Sequence, residues 1–265
     1  MSSLIHPTAV IESGANLGRD ISVGPFAVIE KGAEIGDGVV LESHAVVKKW
    51  ARIGDDVRVG HFCVVGGDPQ HLDFDCEIES FVSIGQGSRL GEGVTVHRSM
   101  YEHKVTKVGE SSFLMGNSHV AHDSNLAQQV ILANGVLLGG HVEIGKDVFV
   151  GGGAGVHQFV RIGSGAMIGG LAEISKDVGP NLLVMGRNRA CGLNHVGMKR
   201  RGVSDEDMRT LKRLFRDLLT RPVPIGKLAQ ERMNELNEDS SSTVREFLSF
   251  FISGKRGFAT CPRKS

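Results

Sequence analysis

Aromatic residues are scarce in this 265-residue chain: one Trp, one Tyr and 12 Phe amount to 5% of it. A core of the ordinary globular kind, filled by large rings, is thereby excluded. Neither sign of charge prevails, with Lys plus Arg and Asp plus Glu at 30 each, so no global field argues for nucleic acid. The four cysteines, Cys63, Cys76, Cys191 and Cys261, lack CxxC spacing and read as free thiols of a reducing compartment. No apolar run is long enough to span a membrane, and the opening MSSLIHPTAV has neither the basic nor the apolar segment of a signal peptide. Together these absences predict a soluble, cytoplasmic protein. What the chain has in excess is glycine, 36 residues against seven prolines, well above the usual share of about 7%.

The order in the chain has a period of six. Steps of six from Ile5 meet Ile11, Leu17, Val23, Ile29, Ile35, Leu41, Val47, Ile53, Val59 and Val65. After a slip of register the steps resume at Ile78, Ile84, Leu90 and Val96, and they continue in phase from Val108 through Val120, Leu138 and Val156 to Ile174. Helices repeat every 3.6 residues and strands every two, so neither accounts for this pattern. Hexads predict a parallel β-helix, here of the left-handed, three-sided kind with 18 residues to a coil. Residues 5 to 179 would give about ten coils, a column about 48 Å tall at the spacing of stacked strands. Glycine often follows the aliphatic residue, as in Ile35-Gly36 and Ile53-Gly54, where a Cβ would hinder the turn.

Pro180 ends the repeats, and the division expected is a β-helix domain over 1–190 and a helical domain over 191–265. Ser204 with Asp207 three residues on reads as a helix start. Met208, Leu211, Leu214, Phe215, Leu218 and Leu219 follow at helical spacing up to Pro222 and Pro224. Residues 226–237 and 243–252 supply two further helices.

Stacking by three hexads places Val120, Leu138 and Val156 on one face, and the segments they begin contain His122, His141 and His157. His119 borders the same corner. Two breaks in the pattern, at 66–77 and 97–107, are expected on this face as well, with position 102 one coil below Val120. Such a constellation is what a functional site needs, although solvated imidazoles would also fit the spacing. Imidazoles from adjacent coils could hold zinc in a tetrahedral site. Asp123 directly after His122 and the glycines before His141 suit acyl transfer better, and no metal or cofactor is expected.

The hexads, HVAHD at 119–123, GGH at 139–141, VHQF at 156–159, GLN at 192–194 and MKRRG at 198–202 resemble the acyl-carrier-protein-dependent UDP-N-acetylglucosamine O-acyltransferases, nearly end to end. The resemblance implies a homotrimer with sites between columns, acyl carrier protein as donor partner and UDP-N-acetylglucosamine as acceptor. It implies His122 as general base, Asp123 as the carboxylate that orients it, and the Gly140 N–H as oxyanion donor. It further implies that His119, His141, His157, Gln158, Asn194 and Arg200 line the substrate cleft. Turn formation by Gln158 and Asn194, and a solvated hinge at Lys199-Arg200-Arg201, remain open alternatives. The basic residues Arg209, Lys212, Arg213 and Arg216 could meet an acidic carrier protein or simply face solvent.

One departure stands out. Where many members read Gln-Asp-Leu-Lys, this chain reads Gln70-His71-Leu72-Asp73. Gln70, His71 and Asp73 are expected to contact the acceptor. The reversed charge at 73 would suit an acceptor with an amino group at the 3-position at least as well as the ordinary hydroxyl sugar. A zinc-dependent carbonic anhydrase and a non-catalytic scaffold are the rival readings on the same fold.

Overall fold

The computed structural model describes residues 3–237 and 239–261. Each hexad becomes a two-residue strand followed by a bend, and strands three hexads apart pair in parallel: Val96, Val120, Leu138 and Val156 are successive partners. Three sheets result, and the column they enclose is a left-handed β-helix. The first face runs from Leu4–Ile5 to Leu182–Met185, the second from Val10–Ile11 to Glu173–Ile174, and the third from Asn16–Leu17 to Arg161–Ile162. Val178, bridged to Ile162, extends the third face by one more level.

Above the first coil the aliphatic residue of each hexad points inward and is almost fully buried, as at Val47, Val65, Val96 and Val120, whereas Ile5 and Leu17 at the base are exposed. A second inward ladder stands two residues earlier in each hexad, with Ala27, Ala45, Cys63, Val94 and Val136 on the second face, all buried. Only small side chains fit so narrow a prism, which accounts for the shortage of aromatics. The glycines after the aliphatic residue answer to the next coil: a Cβ on Gly54 would lie 2.8 Å from Gln86 N, and one on Gly145 would lie 2.5 Å from Ser164 N. The left-handed corners themselves take side chains, with φ of 60° at Asp123, 60° at His141 and 64° at Phe159.

The outward residues differ by face. On the third face they are polar: Glu34, Arg52, Lys107, Asn125, Glu143 and Arg161. On the upper first face they are Phe113, Ile131, Phe149 and Met167. Apolar side chains on one face of a column mark a surface meant to be covered.

Two insertions interrupt the column, and both leave neighbouring strands of the second face. The first follows Val64–Gly67 and ends at Phe81; the second follows Thr95–His97 and ends at Val105. The hexad expected at Ile78 is absent, because Ile84 and not Ile78 stacks on Ile53. Likewise, the strand below Val120 is Thr95–His97, so position 102 lies within the second insertion. A hydrophobic residue in a loop happened to match the period.

Above the column, Arg189–Leu193 returns antiparallel on Leu182–Met185, a strand that contains residue 190. Four helices follow: α1 (His195–Arg200), α2 (Asp205–Leu219), α3 (Ile225–Asn234) and α4 (Ser242–Ile252). Ser204 caps α2 by accepting the Asp207 N–H. The short α1 had no signal in the hydrophobic pattern. After α4 the chain folds back on the column, and the Ala259 N–H reaches Asp177 O at 2.8 Å. Arg161 fastens this cap. Its guanidinium pairs with the buried Asp177 at 2.8 Å, donates to the carbonyls of Phe250 and Ser253, and lies over the Phe250 ring.

Removing one partner of a buried pair typically costs about 3–5 kcal/mol. Arg161→Ala should therefore loosen α4 while the column stays intact. Hydrogen exchange should show faster exchange confined to residues 242–252 and their partners; unchanged protection there would contradict the latch.

Candidate active site

An open cavity of about 820 Å³ runs along the second face, lined among others by Gln70, His97, His119, His122, Gly140 and His157. The stacking explains the company. His97 and His119 end or begin paired strands of this face, and His122 and His157 follow its strands at Val120 and Val156. The rings of His97 and His119 meet edge to face at 4.8 Å, and His119 Nδ1 is 2.7 Å from Thr95 Oγ1.

His122 and Asp123 form a tight pair, with Nδ1 to Oδ2 at 2.9 Å and both side chains largely buried. The Asp123 carboxylate also accepts the Ser99 hydroxyl at 2.5 Å on Oδ1 and the Met100 N–H at 3.1 Å on Oδ2. Its own N–H donates to Thr106 Oγ1 at 2.7 Å. The second insertion therefore clamps the carboxylate. Because His122 Nδ1 carries the hydrogen toward Asp123, Nε2 is left with the lone pair of a base. Gly140 abuts that atom: a Cβ there would lie 2.8 Å from Nε2. Gly139 and His141 give their N–H groups to Val156 O and His122 O. No backbone hydrogen bond among the described residues uses the Gly140 N–H, so it remains a free donor beside the base.

Other expected residues are placed differently. His141 sits on the far side of His122, edge to face at 5.2 Å, with its own ring stacked on Phe159 at 4.4 Å. It supports His122 and does not line the cavity. Gln158 is exposed. Of the first insertion only Gln70 lines the cavity. His71 and Asp73 are exposed and bond to each other, Asp73 N–H to His71 Nδ1 at 3.2 Å. Asn194 and Arg200 lie on the first face instead, in a second cavity of about 710 Å³ with Phe113, Phe149, Met167 and Val196. Asn194 also caps α1, accepting the Gly197 N–H and donating to Gly165 O, so its turn-forming reading holds.

Sequence reasoning missed His97, Ser99, Met100 and Arg256. Counting back one coil from Val120 through the true insertion reaches Val96, and His97 is the next residue. Ser99, Met100 and Arg256, whose guanidinium donates to His157 Nδ1 at 2.7 Å, carry no periodic signal.

The electrostatics favour the neutral forms of His97, His119 and His141. Burial pushes His97 down to about 4, helped by the neighbouring His119 and His122. Burial likewise holds His119 and His141 below the ordinary value. For Asp123, burial pushes upward, but hydrogen bonds from His122, Ser99 and Met100 outweigh it and the pKa is lowered. His122, Asp123 and His141 could together reach a metal ion. An ion there would have to displace donors from both oxygens of Asp123, so the donor set fits a base better than a metal centre.

A neutral His97 in the fold titrates near its ordinary value of about 6.5 when unfolded. Between pH 6.5 and about 4 the unfolded chain thus binds the extra proton, and stability falls as pH falls through that window. His97→Gln should flatten this acid loss of stability. Equal slopes of melting temperature against pH in both proteins would exclude His97 as its source.

Comparison with known proteins fits this geometry. A family model described as Udp N-acetylglucosamine O-acyltransferase, Domain 2, matches residues 177–259, and the bacterial transferase hexapeptide model matches residues 32–67. The chain is 42% identical over 261 residues to the acyl-[acyl-carrier-protein]–UDP-N-acetylglucosamine O-acyltransferase of Burkholderia mallei, covering 96% of this chain and 98% of the relative. Among solved structures, LpxA from Acinetobacter baumannii superposes with a TM-score of 0.92 at 33% identity, covering 97% of this chain and 99% of that one. The UDP-N-acetylglucosamine acyltransferase of Campylobacter jejuni gives 0.89 at 34%, with coverage of 97% and 99%.

Proposed function

The chain belongs to the acyl-[acyl-carrier-protein]–UDP-N-acetylglucosamine O-acyltransferases, and on that premise we propose that His122 removes the proton of the sugar's 3-hydroxyl as a fatty acyl group passes to it from acyl carrier protein. This is the first step of lipid A biosynthesis. The observation that carries the residue assignment is the His122–Asp123 pair beside an uncommitted Gly140 N–H, with His122 and Gly140 lining one cavity.

A sugar hydroxyl is a weak nucleophile and needs its proton removed as it attacks, a task suited to neutral imidazole. The hydroxyl oxygen forms a bond to the thioester carbonyl carbon while His122 Nε2 takes the proton. Negative charge collects on the carbonyl oxygen, where the Gly140 N–H stabilises it. The carbon–sulfur bond then breaks, and the imidazolium returns the proton to the departing thiolate of the carrier protein. The product is an ester, and no redox group is required. Asp123 keeps the Nδ1 hydrogen in place and offsets the positive charge on the ring.

Half of the proposed site lies elsewhere on the molecule. Asn194 and Arg200 share the second cavity on the apolar first face, whereas His122 opens on the second. A cyclic trimer in which the first face of one protomer covers the second face of the next joins the two halves and buries Phe113, Phe149, Met167 and Leu137. The polar third face stays in water. The exposed Phe26–His44–Phe62 stack, with ring separations of 5.1 and 5.0 Å, stands at the corner between the two covered faces and points to the axis. In that arrangement the Arg200 guanidinium meets the diphosphate of the nucleotide sugar. The hydroxyl sugar is the acceptor we favour, because the carboxylate of Asp73 is not brought to the cavity.

Products from a panel of acyl-carrier-protein thioesters and UDP-sugars, identified by mass spectrometry, test the reaction itself; a panel without any acylated UDP-sugar would refute it. His122→Ala should lower turnover at least about 10²-fold with the melting temperature unchanged. Residual activity above about a tenth of wild type would remove His122 as the base.

The shared site has its own test. Mixed trimers assembled from His122→Ala and Arg200→Ala chains, each nearly inactive alone, should recover about a quarter of wild-type activity, since a quarter of the junctions join two intact halves. No recovery in verified mixed trimers would place both residues in one protomer's site.

A further inference from the structure

Ser99 is fully buried, and its hydroxyl is held in one orientation. The Tyr101 N–H donates to Ser99 Oγ at 3.0 Å, which occupies a lone pair of the oxygen. The single hydroxyl hydrogen then has two acceptors in reach, Asp123 Oδ1 at 2.5 Å and Tyr101 O at 3.3 Å. The shorter contact to the charged oxygen takes it. The backbone around the hydroxyl is equally fixed. Ser99 O accepts from Ser80 Oγ at 2.6 Å, and Ser99 N–H reaches Phe81 O at 3.2 Å. On one side its neighbour Arg98, fully buried, donates to Asp68, Cys76 O, Ile78 O and Ser80. On the other side the Met100 N–H holds the second carboxylate oxygen.

We propose that Ser99 is a positioning residue of the acyl transfer, the third member of a Ser99–Asp123–His122 chain in which its hydroxyl fixes the carboxylate that orients the base. The proposal rests on the general-base reading of His122 and deepens it. A carboxylate has two oxygens and rotates about its terminal bond; Oδ2 can face His122 Nδ1 only while Oδ1 is held. The Met100 N–H and His122 share Oδ2, so among the described residues Ser99 alone anchors Oδ1. The hydroxyl also withdraws charge from Asp123. Without it the carboxylate is more basic and holds the imidazolium more strongly, so the acid limb of the rate profile should move to higher pH.

The test is a double-mutant cycle on the full-length protein with acyl carrier protein and UDP-N-acetylglucosamine. Ser99→Ala in the wild-type background should lower kcat about ten-fold, the scale of one lost donor to a buried charge, with KM for the sugar within two-fold. The acid limb should move up. In the Asp123→Asn background the same change should lower kcat by less than two-fold, because the carboxylate it acts through is gone. Ser99→Cys, with a weaker donor of similar size, should fall between serine and alanine. A kcat for Ser99→Ala within two-fold of wild type overturns the proposal. So does an equal loss in both backgrounds, which marks a purely structural role. If Asp123→Asn alone leaves kcat at the wild-type value, the His122–Asp123 reading fails together with this one; if Asp123→Asn is impaired and Ser99→Ala is not, only the role of Ser99 fails.

Discussion

Everything in this molecule depends on the register in which one coil sits on the next. Main-chain hydrogen bonds tie each strand to its counterpart one coil away, as from Ala121 N–H to Leu138 O and from Gly139 N–H to Val156 O. A slip of one residue would turn the aliphatic ladder outward and break the column. With the register fixed, the positions between inward residues are fixed too. Residues far apart in sequence become vertical neighbours with no contact of their own to hold them there. Four imidazoles from three coils come to share a cavity in this way, on a scaffold stabilised by Val, Leu and Ala.

The same constraint explains the division between base and support. Corner residues adopt left-handed φ and project from the column's edge, so Asp123, His141 and Phe159 stand in one file. His122, one residue before the corner, faces the cavity instead. It is thus gripped between a carboxylate at its own corner and an imidazole at the corner above. Burial opposes the charging of His97, His119 and His141. Asp123 is therefore the ionised partner at the centre of the cluster, and in the proposed transfer it is the counter-charge to the imidazolium of His122.

The period-six pattern made the column legible because one aliphatic residue per hexad has no alternative place to go. It also gave the face shared by His119, His122 and His157, since the phase of six survives the second insertion. The pattern misled at Ile78, where a loop residue matched the period by chance, and it could not measure the second insertion, so His97 was missed. The contacts of Ser99, Met100 and Arg256 are set by loop and tail geometry, for which no repeat exists. Asn194 and Arg200 were legible only through the family resemblance. Stacking places them on another face, and only in the proposed trimer does a second protomer bring that face to His122.

A perfectly periodic solenoid presents convex or flat faces, and a flat face cannot hold a small polar substrate away from water. The first insertion adds Gln70 to the cavity's wall, and Arg98 ties the two insertions into one body. Its guanidinium, fully buried, donates to Asp68, Cys76 O, Ile78 O and Ser80 of the first insertion and lies between the rings of Trp50 and Phe74. Its flanking residues belong to the site: His97 lines the cavity, and Ser99 and Met100 hold Asp123. The strand before Arg98 carries the column's register, and the bonds after it carry that register into the loops. Gln70 and the His122–Asp123 pair are thus placed relative to one another by a single buried side chain, which accounts for a full charge in a region built otherwise from small apolar residues.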